Sequence, residues 1–431
     1  MKILFCGDSL HNVSGMGHVM LNIIDGLNSQ YKDLEIVYCT LTGRPSYKEC
    51  YKFHESKYKY YKFLFDKMKF EYCDVNNFQK KQEIFDDIVL RHKPDVVFSF
   101  VDCWLLELIA YSGYRCNFKW ITYLTFETDN YPEEHFYPSV KHKTSRTNIK
   151  DLLSRADINI PVTEFGRKTL ERFEVPYSKN VYHGLDHEIY HKIKDLTIKK
   201  SEMFGSGVKE NDFIFMTLGK NSERKRVDFV IEAFYRFLNN HVNKENRNKY
   251  KLYVHSNVNE TYSSGTDLFI QIKSLGLENN VMIPKCYLKN EELSKEDLFK
   301  KYLASDCYVS LSVGEGFGLG AIDAVLCKKP LIYSKETAVE EIAGSCGLDV
   351  RTATYIPARN SYINFVYPDL EDASLKMKLI SEDKELYETC RNNCKAVSSK
   401  LTWKNCVNRI KEEIDKVYVE DKNKCFLKRI I

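Results

Sequence analysis

The sequence predicts an α/β protein made of two doubly wound parallel-sheet domains in tandem. Three observations carry this expectation. Short apolar runs rich in β-formers alternate with helix-period segments, the mark of βαβ construction. The alternation breaks at a polar stretch, Lys192–Asn211, and then begins again. In both halves the first strand leads into a helix through a turn that carries glycine.

In the first half the apolar runs Lys2–Cys6, Glu35–Thr40, Asp95–Val101, Lys119–Leu124, Asp157–Val162 and Asn180–His183 read as strands. Met20, Ile23, Ile24 and Leu27 recur at helical spacing after the first of them. In the second half the strands are Phe213–Leu218, Lys251–His255, Asn280–Pro284, Asp306–Ser312 and Pro330–Tyr333. The helix after Leu218 places Val227, Val230, Ile231, Phe234 and Leu238 on one face. Helical material resumes from Asp369, with Thr402 as the cap of a last helix from Trp403 and a basic end at Lys422–Arg429. The expected division is residues 1–187, 188–400 and a C-terminal helix and tail, 401–431. Ligands of such sheets sit beyond the carboxyl ends of the strands, in a cleft where two sheets face each other.

Composition excludes several classes. With 43% hydrophobic, 29% charged and 13% aromatic residues, the 431-residue chain is of folded rather than disordered type. Residues 1–187 carry 25 Lys and Arg against 25 Asp and Glu, which leaves the whole net charge of +4 to the remainder. Neither half is a basic nucleic-acid module. Fourteen cysteines are scattered without a CxxC pair or zinc spacing, and many, such as Cys39, Cys103 and Cys307, sit in apolar runs, so reduced core thiols are expected. The first apolar run, MKILFCGDS, is too short for a signal sequence, and no stretch reaches the ~18 residues of a membrane span. A cytoplasmic protein is expected. Lys141, His142, Lys143, Arg146 and Lys150, after Phe136-Tyr137-Pro138, form an acid-free run that reads first as a solvated loop and second as a weak peripheral contact with anionic membranes.

Three segments carry chemistry. Ser14-Gly15-Met16-Gly17-His18 lets backbone approach a ligand at the start of a helix, but Met20 stands where a dinucleotide fingerprint has its third glycine. Gly219–Arg226 sets Lys220, Arg224, Lys225 and Arg226 beside a helix N-terminus, a place unfavourable to cations unless an anion, such as a diphosphate, offsets them. Ser312–Asp323 places Glu315 in a turn with Gly314, Gly316, Gly318 and Gly320, and Asp323 inside the following helix. Two acids so spaced can hold different parts of one ligand while backbone amides hold its anionic part.

Together these segments resemble the family 4 glycosyltransferases, retaining nucleotide-sugar enzymes of GT-B fold with two Rossmann-like domains. The resemblance spans nearly the whole chain. It includes Pro161–Arg167 and His183-Gly184-Leu185-Asp186, similar to the family's interdomain segment, and Glu315 and Asp323 at its E-x7-E acids. It implies that the C-terminal helix crosses back to the N-terminal domain, and that the C-terminal domain holds the donor while the N-terminal domain presents a glycan, lipid-linked or other acceptor. Lys220, Arg224 and Lys225 then stabilise the leaving diphosphate, Glu315 holds sugar hydroxyls and Asp323 the ribose, with Gly15, Gly17, Gly316, Phe317, Gly318 and Leu319 lining the ligands. No metal and no cofactor are expected. Departures are Asp323 for Glu, Lys220 for Arg and Gly320 for Pro. Where many members carry a histidine, this chain reads Thr125-Phe126-Glu127-Thr128-Asp129, with Glu127 or Asp129 as substitute. A sugar-phosphate epimerase or phosphorylase, or a non-catalytic sugar-nucleotide binder, stays open as an alternative.

Overall fold

The computed structural model describes residues 1–10, 14–41, 62–73, 78–128, 134–135, 147–256, 265–284, 293–357 and 363–428. Two compact units divide the chain: Met1–Gly184 with Arg359–Ile363 and Trp403–Ile431, and Leu185–Ala358 with Asn364–Thr402.

The first unit is built on six parallel strands: β1 (Lys2–Gly7), β2 (Glu35–Thr40), β3 (Lys69–Tyr72), β4 (Val96–Phe100), β5 (Lys119–Leu124) and β6 (Ile158–Pro161). Their order is β3-β2-β1-β4-β5-β6. All of β4 and the last five residues of β1, β2 and β5 are buried, as expected of parallel strands covered on both faces. Helix α1 (Gly15–Gln30) is capped by Ser14, whose Oγ accepts from the Gly17 N–H at 3.0 Å, and buries Val19, Met20, Ile23, Ile24 and Leu27. The C-terminal helix, Trp403–Lys428, packs on α1 within this unit. A Cβ on Gly26 would lie 2.5 Å from Val407 Cγ2, and Tyr31 donates to Asp415 Oδ1 at 2.7 Å.

Residues 180–183 are not a strand, contrary to expectation. Val181 N–H donates to the Pro161 carbonyl and its own carbonyl accepts from the Tyr123 hydroxyl, so the segment follows β6 without laddering onto it. Conversely, β3 reads KFEY, an edge strand whose alternating charges hide it from an apolar-run search. Of the basic run, Lys141, His142, Lys143 and Arg146 lie outside the described residues, as do Phe136, Tyr137 and Pro138, while Lys150 pairs with Glu174 at 3.6 Å. Among the described residues no helix is long and apolar enough to cross a membrane. Of the free cysteines described, only Cys116 is exposed, so the others behave as small core hydrophobes.

The second unit repeats the plan with β7 (Phe213–Leu218), α2 (Val227–His241), β8 (Tyr250–His255), β9 (Val281–Met282), α3 (Lys295–Ala304), β10 (Cys307–Ser310), α4 (Leu319–Leu326), β11 (Leu331–Ser334) and β12 (Gly347–Val350). The parallel order is β9-β8-β7-β10-β11-β12. Val227, Val230, Ile231, Phe234 and Leu238 of α2 are all buried in its core. An antiparallel pair, Thr352–Pro357 with Asn364–Pro368, follows and was not read from the sequence. The strand order reverses between β7 and β10, which pair through Phe215–Cys307 and Met216–Tyr308. The turns leaving their carboxyl ends are the two segments singled out above, and this topology brings them together.

Candidate active site

Two bonds stitch the turns to each other. Val313 N–H donates to the Arg224 carbonyl at 2.9 Å, and Arg224 Nη1 donates to the Gly314 carbonyl at 2.9 Å. Lys225 then donates to Glu315 Oε2, with Arg224 Nη1 3.5 Å from the same oxygen. The Glu315 side chain is only 9% exposed. Burial alone would raise its pKa, but Lys225 and Arg224 outweigh burial and hold the carboxyl below the ordinary glutamate value.

The four cations of the first turn therefore divide. Arg226, in the left-handed region at φ 44°, turns back to Asp228 at 2.7 Å and lies over the Phe229 ring at 3.7 Å. Lys220 is exposed and makes no hydrogen bond or ion pair among the described residues. Arg224 and Lys225 meet Glu315, so the chain itself supplies an anion that offsets these two cations beside the helix N-terminus.

Gly318 is where the second turn becomes α4. Its φ of +83° favours glycine, and a Cβ there would lie 2.5 Å from Val339 Cγ2. Gly316 and Phe317 are buried, and Leu319 and Gly320 half-buried. A Cβ on Gly320 would meet the Tyr308 hydroxyl at 2.6 Å, which accounts for the missing side chain at this position. Asp323, one turn into α4 and buried, accepts from Lys295 Nζ at 2.6 Å. Lys295 also stands 3.5 Å from Asp186. Sequence reading passed over Lys295. Its only local signal is its place just after the Ser294 cap of α3, whose Oγ accepts from the Asp297 N–H at 3.1 Å.

In the first unit Gly15 is exposed and Gly17 buried at the start of α1, at the carboxyl end of β1. Glu127 is half-buried beyond β5, and Asp129 lies outside the described residues. His183 is 2% exposed, its Nδ1 2.7 Å from the Tyr123 hydroxyl. Burial, and secondarily His18, pushes its pKa down to about 3. Among the described residues no group of three His, Cys, Asp or Glu is arranged to hold a metal ion.

Residues 198–397 match the family described as Glycosyl transferases group 1. No curated protein matches the chain. Among solved structures the chain is similar to Anabaena Alr3699/HepE in complex with UDP-glucose, at 16% identity over 96% of this chain and 100% of that one, with a TM-score of 0.67. It is similar to a sucrose-phosphate synthase from Thermosynechococcus elongatus, at 13% identity over 97% and 100%, TM-score 0.70. A glycosyltransferase from Rickettsia africae gives 14% identity over 97% and 98%, TM-score 0.67. Together the structural likenesses show the fold. The chain has the two-domain, Rossmann-like GT-B fold, and its residues 198–397 are similar to the glycosyl transferases group 1 family.

Proposed function

We propose that the protein is a retaining glycosyltransferase of family 4 type that moves a sugar from a nucleotide-diphosphate donor to a glycan, lipid-linked or other acceptor. The observation that carries this reading is the convergence of Arg224, Lys225 and Glu315 at the reversal of strand order, between the starts of α2 and α4. When the bond between the sugar's anomeric carbon and the diphosphate breaks, negative charge grows on the leaving oxygen. Arg224 and Lys225, with the unpaired N–H groups of a helix start, favour that charge most in the transition state. Lys220, free to reach, adds a third cation. Glu315, kept ionised by its neighbours, accepts from the sugar hydroxyls. The acceptor oxygen bonds to the anomeric carbon on the face the diphosphate leaves, and its proton passes to a departing phosphate oxygen, so no protein base is needed.

The cations supply the charge stabilisation, so the reaction is proposed to run without a metal, in the cytoplasm. Thermal shift against UDP-, GDP- and ADP-sugars identifies the donor, since a ligand bound to the native state raises the melting temperature. NMR of the product then reads its anomeric configuration. No shift with any donor, or an inverted product, overturns the reading. Turnover without acceptor would indicate an epimerase, dependence on inorganic phosphate a phosphorylase, and binding without turnover a non-catalytic binder.

A further inference from the structure

Lys295 opens α3, where the first-turn N–H groups already concentrate positive charge and a lysine is electrostatically misplaced. The core-facing part of that helix is made by Phe299, Tyr302 and Ala304, and Lys295 Nζ lies 5.1 Å from the centre of the Phe299 ring. Its ammonium nevertheless stands 2.6 Å from Asp323 Oδ2 and 3.5 Å from Asp186 Oδ2, two carboxylates that are 7% and 8% exposed. Burial alone would favour neutral Lys295, and Asp323 and Asp186 more than reverse that, so it stays charged.

Asp323 is one methylene shorter than glutamate, so its carboxylate has less reach and depends more on orientation to meet a pair of neighbouring hydroxyls. A charge-assisted bond from a residue on another helix supplies that orientation. We propose that Lys295 is a positioning residue for the donor's ribose: it fixes the Asp323 carboxylate so that this shorter acid accepts from the vicinal 2′- and 3′-hydroxyls. The inference rests on the reading of residues 219–226 and 312–323 as the donor site.

The test is calorimetric titration of UDP, GDP and ADP, each beside its 2′-deoxy form, into the full chain and its Lys295→Met, Lys295→Arg and Asp323→Asn variants. The parent should prefer the ribonucleotide it binds by ~10-fold or more, the scale of one hydrogen bond to a charged group. Lys295→Met and Asp323→Asn should each cut that preference to about threefold or less, weakening the 2′-deoxy form, which keeps only the 3′-hydroxyl, clearly less than the ribonucleotide, and Lys295→Arg should keep most of it. If Lys295→Met does not fold, Lys295→Gln takes its place with the same expected result. A neutral Lys295 variant that keeps the full preference, or loses affinity equally for both sugars, overturns the inference alone. A parent chain that binds none of the three nucleotides overturns the donor-site reading, and the role of Lys295 with it.

Discussion

The Glu315 carboxylate accepts a hydrogen bond from the Lys225 ammonium across 90 residues of sequence. Any anionic ligand entering between the two turns must compete with Glu315 for Lys225 and Arg224. Because Glu315 stays in the site, an entering anion meets two cations that are already partly neutralised, so binding there should depend on where the ligand places its charge rather than on net attraction alone.

Lys225→Ala should weaken donor binding or transition-state stabilisation by ~1.5–3 kcal/mol. It should also lower the melting temperature, because Glu315 is left buried with only Arg224 at 3.5 Å. Combining it with Glu315→Gln should recover the stability and not the activity. Unchanged donor affinity and turnover in Lys225→Ala would show that the turn is a solvated charge run.

Glu315→Gln should depress turnover by at least ~10-fold, since an amide holds a hydroxyl less strongly than a carboxylate. Stability should change little, because the orphaned Lys225 and Arg224 side chains are 24% and 29% exposed and can hydrate. Asp323→Asn should act chiefly on donor affinity. Large, equal losses of melting temperature in both variants would point to a structural role for the two acids.

His183 gives the fold a pH dependence with a definite sign. Its pKa is about 3 in the folded chain against 6.5 ordinarily, so between those values the unfolded chain binds the extra proton. The contribution to stability is complete above 6.5 and is lost as pH falls toward 3, at roughly 1.4 kcal/mol per pH unit. Denaturant unfolding at about pH 7.5 and about pH 5 should show a smaller decline in His183→Gln than in the parent. Parallel declines would assign the loss to other groups.

Gly320→Ala should destabilise the fold by roughly 1–3 kcal/mol, because its methyl group meets the buried Tyr308 hydroxyl. Tyr308→Phe should relieve part of that loss in the double variant. Additive losses would mean that the two positions do not share this space.

Chelation should leave glycosyl transfer within about twofold, since Arg224 and Lys225 are in place to carry the charge that a metal would otherwise neutralise. Loss of activity with EDTA and its return with Mn²⁺ would remove the metal-free mechanism.

The strands most legible in the sequence were those buried on both faces. Lys119–Leu124 came out at its observed bounds because an unbroken apolar run is what a central parallel strand requires. Lys69–Tyr72 did not, since an edge strand satisfies only part of that pattern. Arg224, Lys225, Glu315 and Asp323 were each visible as chemistry beside glycine turns. Their pairing was not, because it depends on where the strand order reverses, a property of the assembled sheet. Lys295 gave no comparable signal: its partners, Asp186 and Asp323, lie on segments far from it in sequence.

The helix Trp403–Lys428 is synthesised long after α1, yet it covers that helix. Gly26 waits for Val407 and Tyr31 for Asp415. At ~5–20 residues per second, the roughly 370 residues between Gln30 and Trp403 take on the order of twenty to seventy-five seconds to translate. During that interval the flank of α1 is unfinished and adhesive, a natural client for chaperones. A stop codon after Thr402 would therefore yield a nascent product prone to aggregate, with α1 left uncovered.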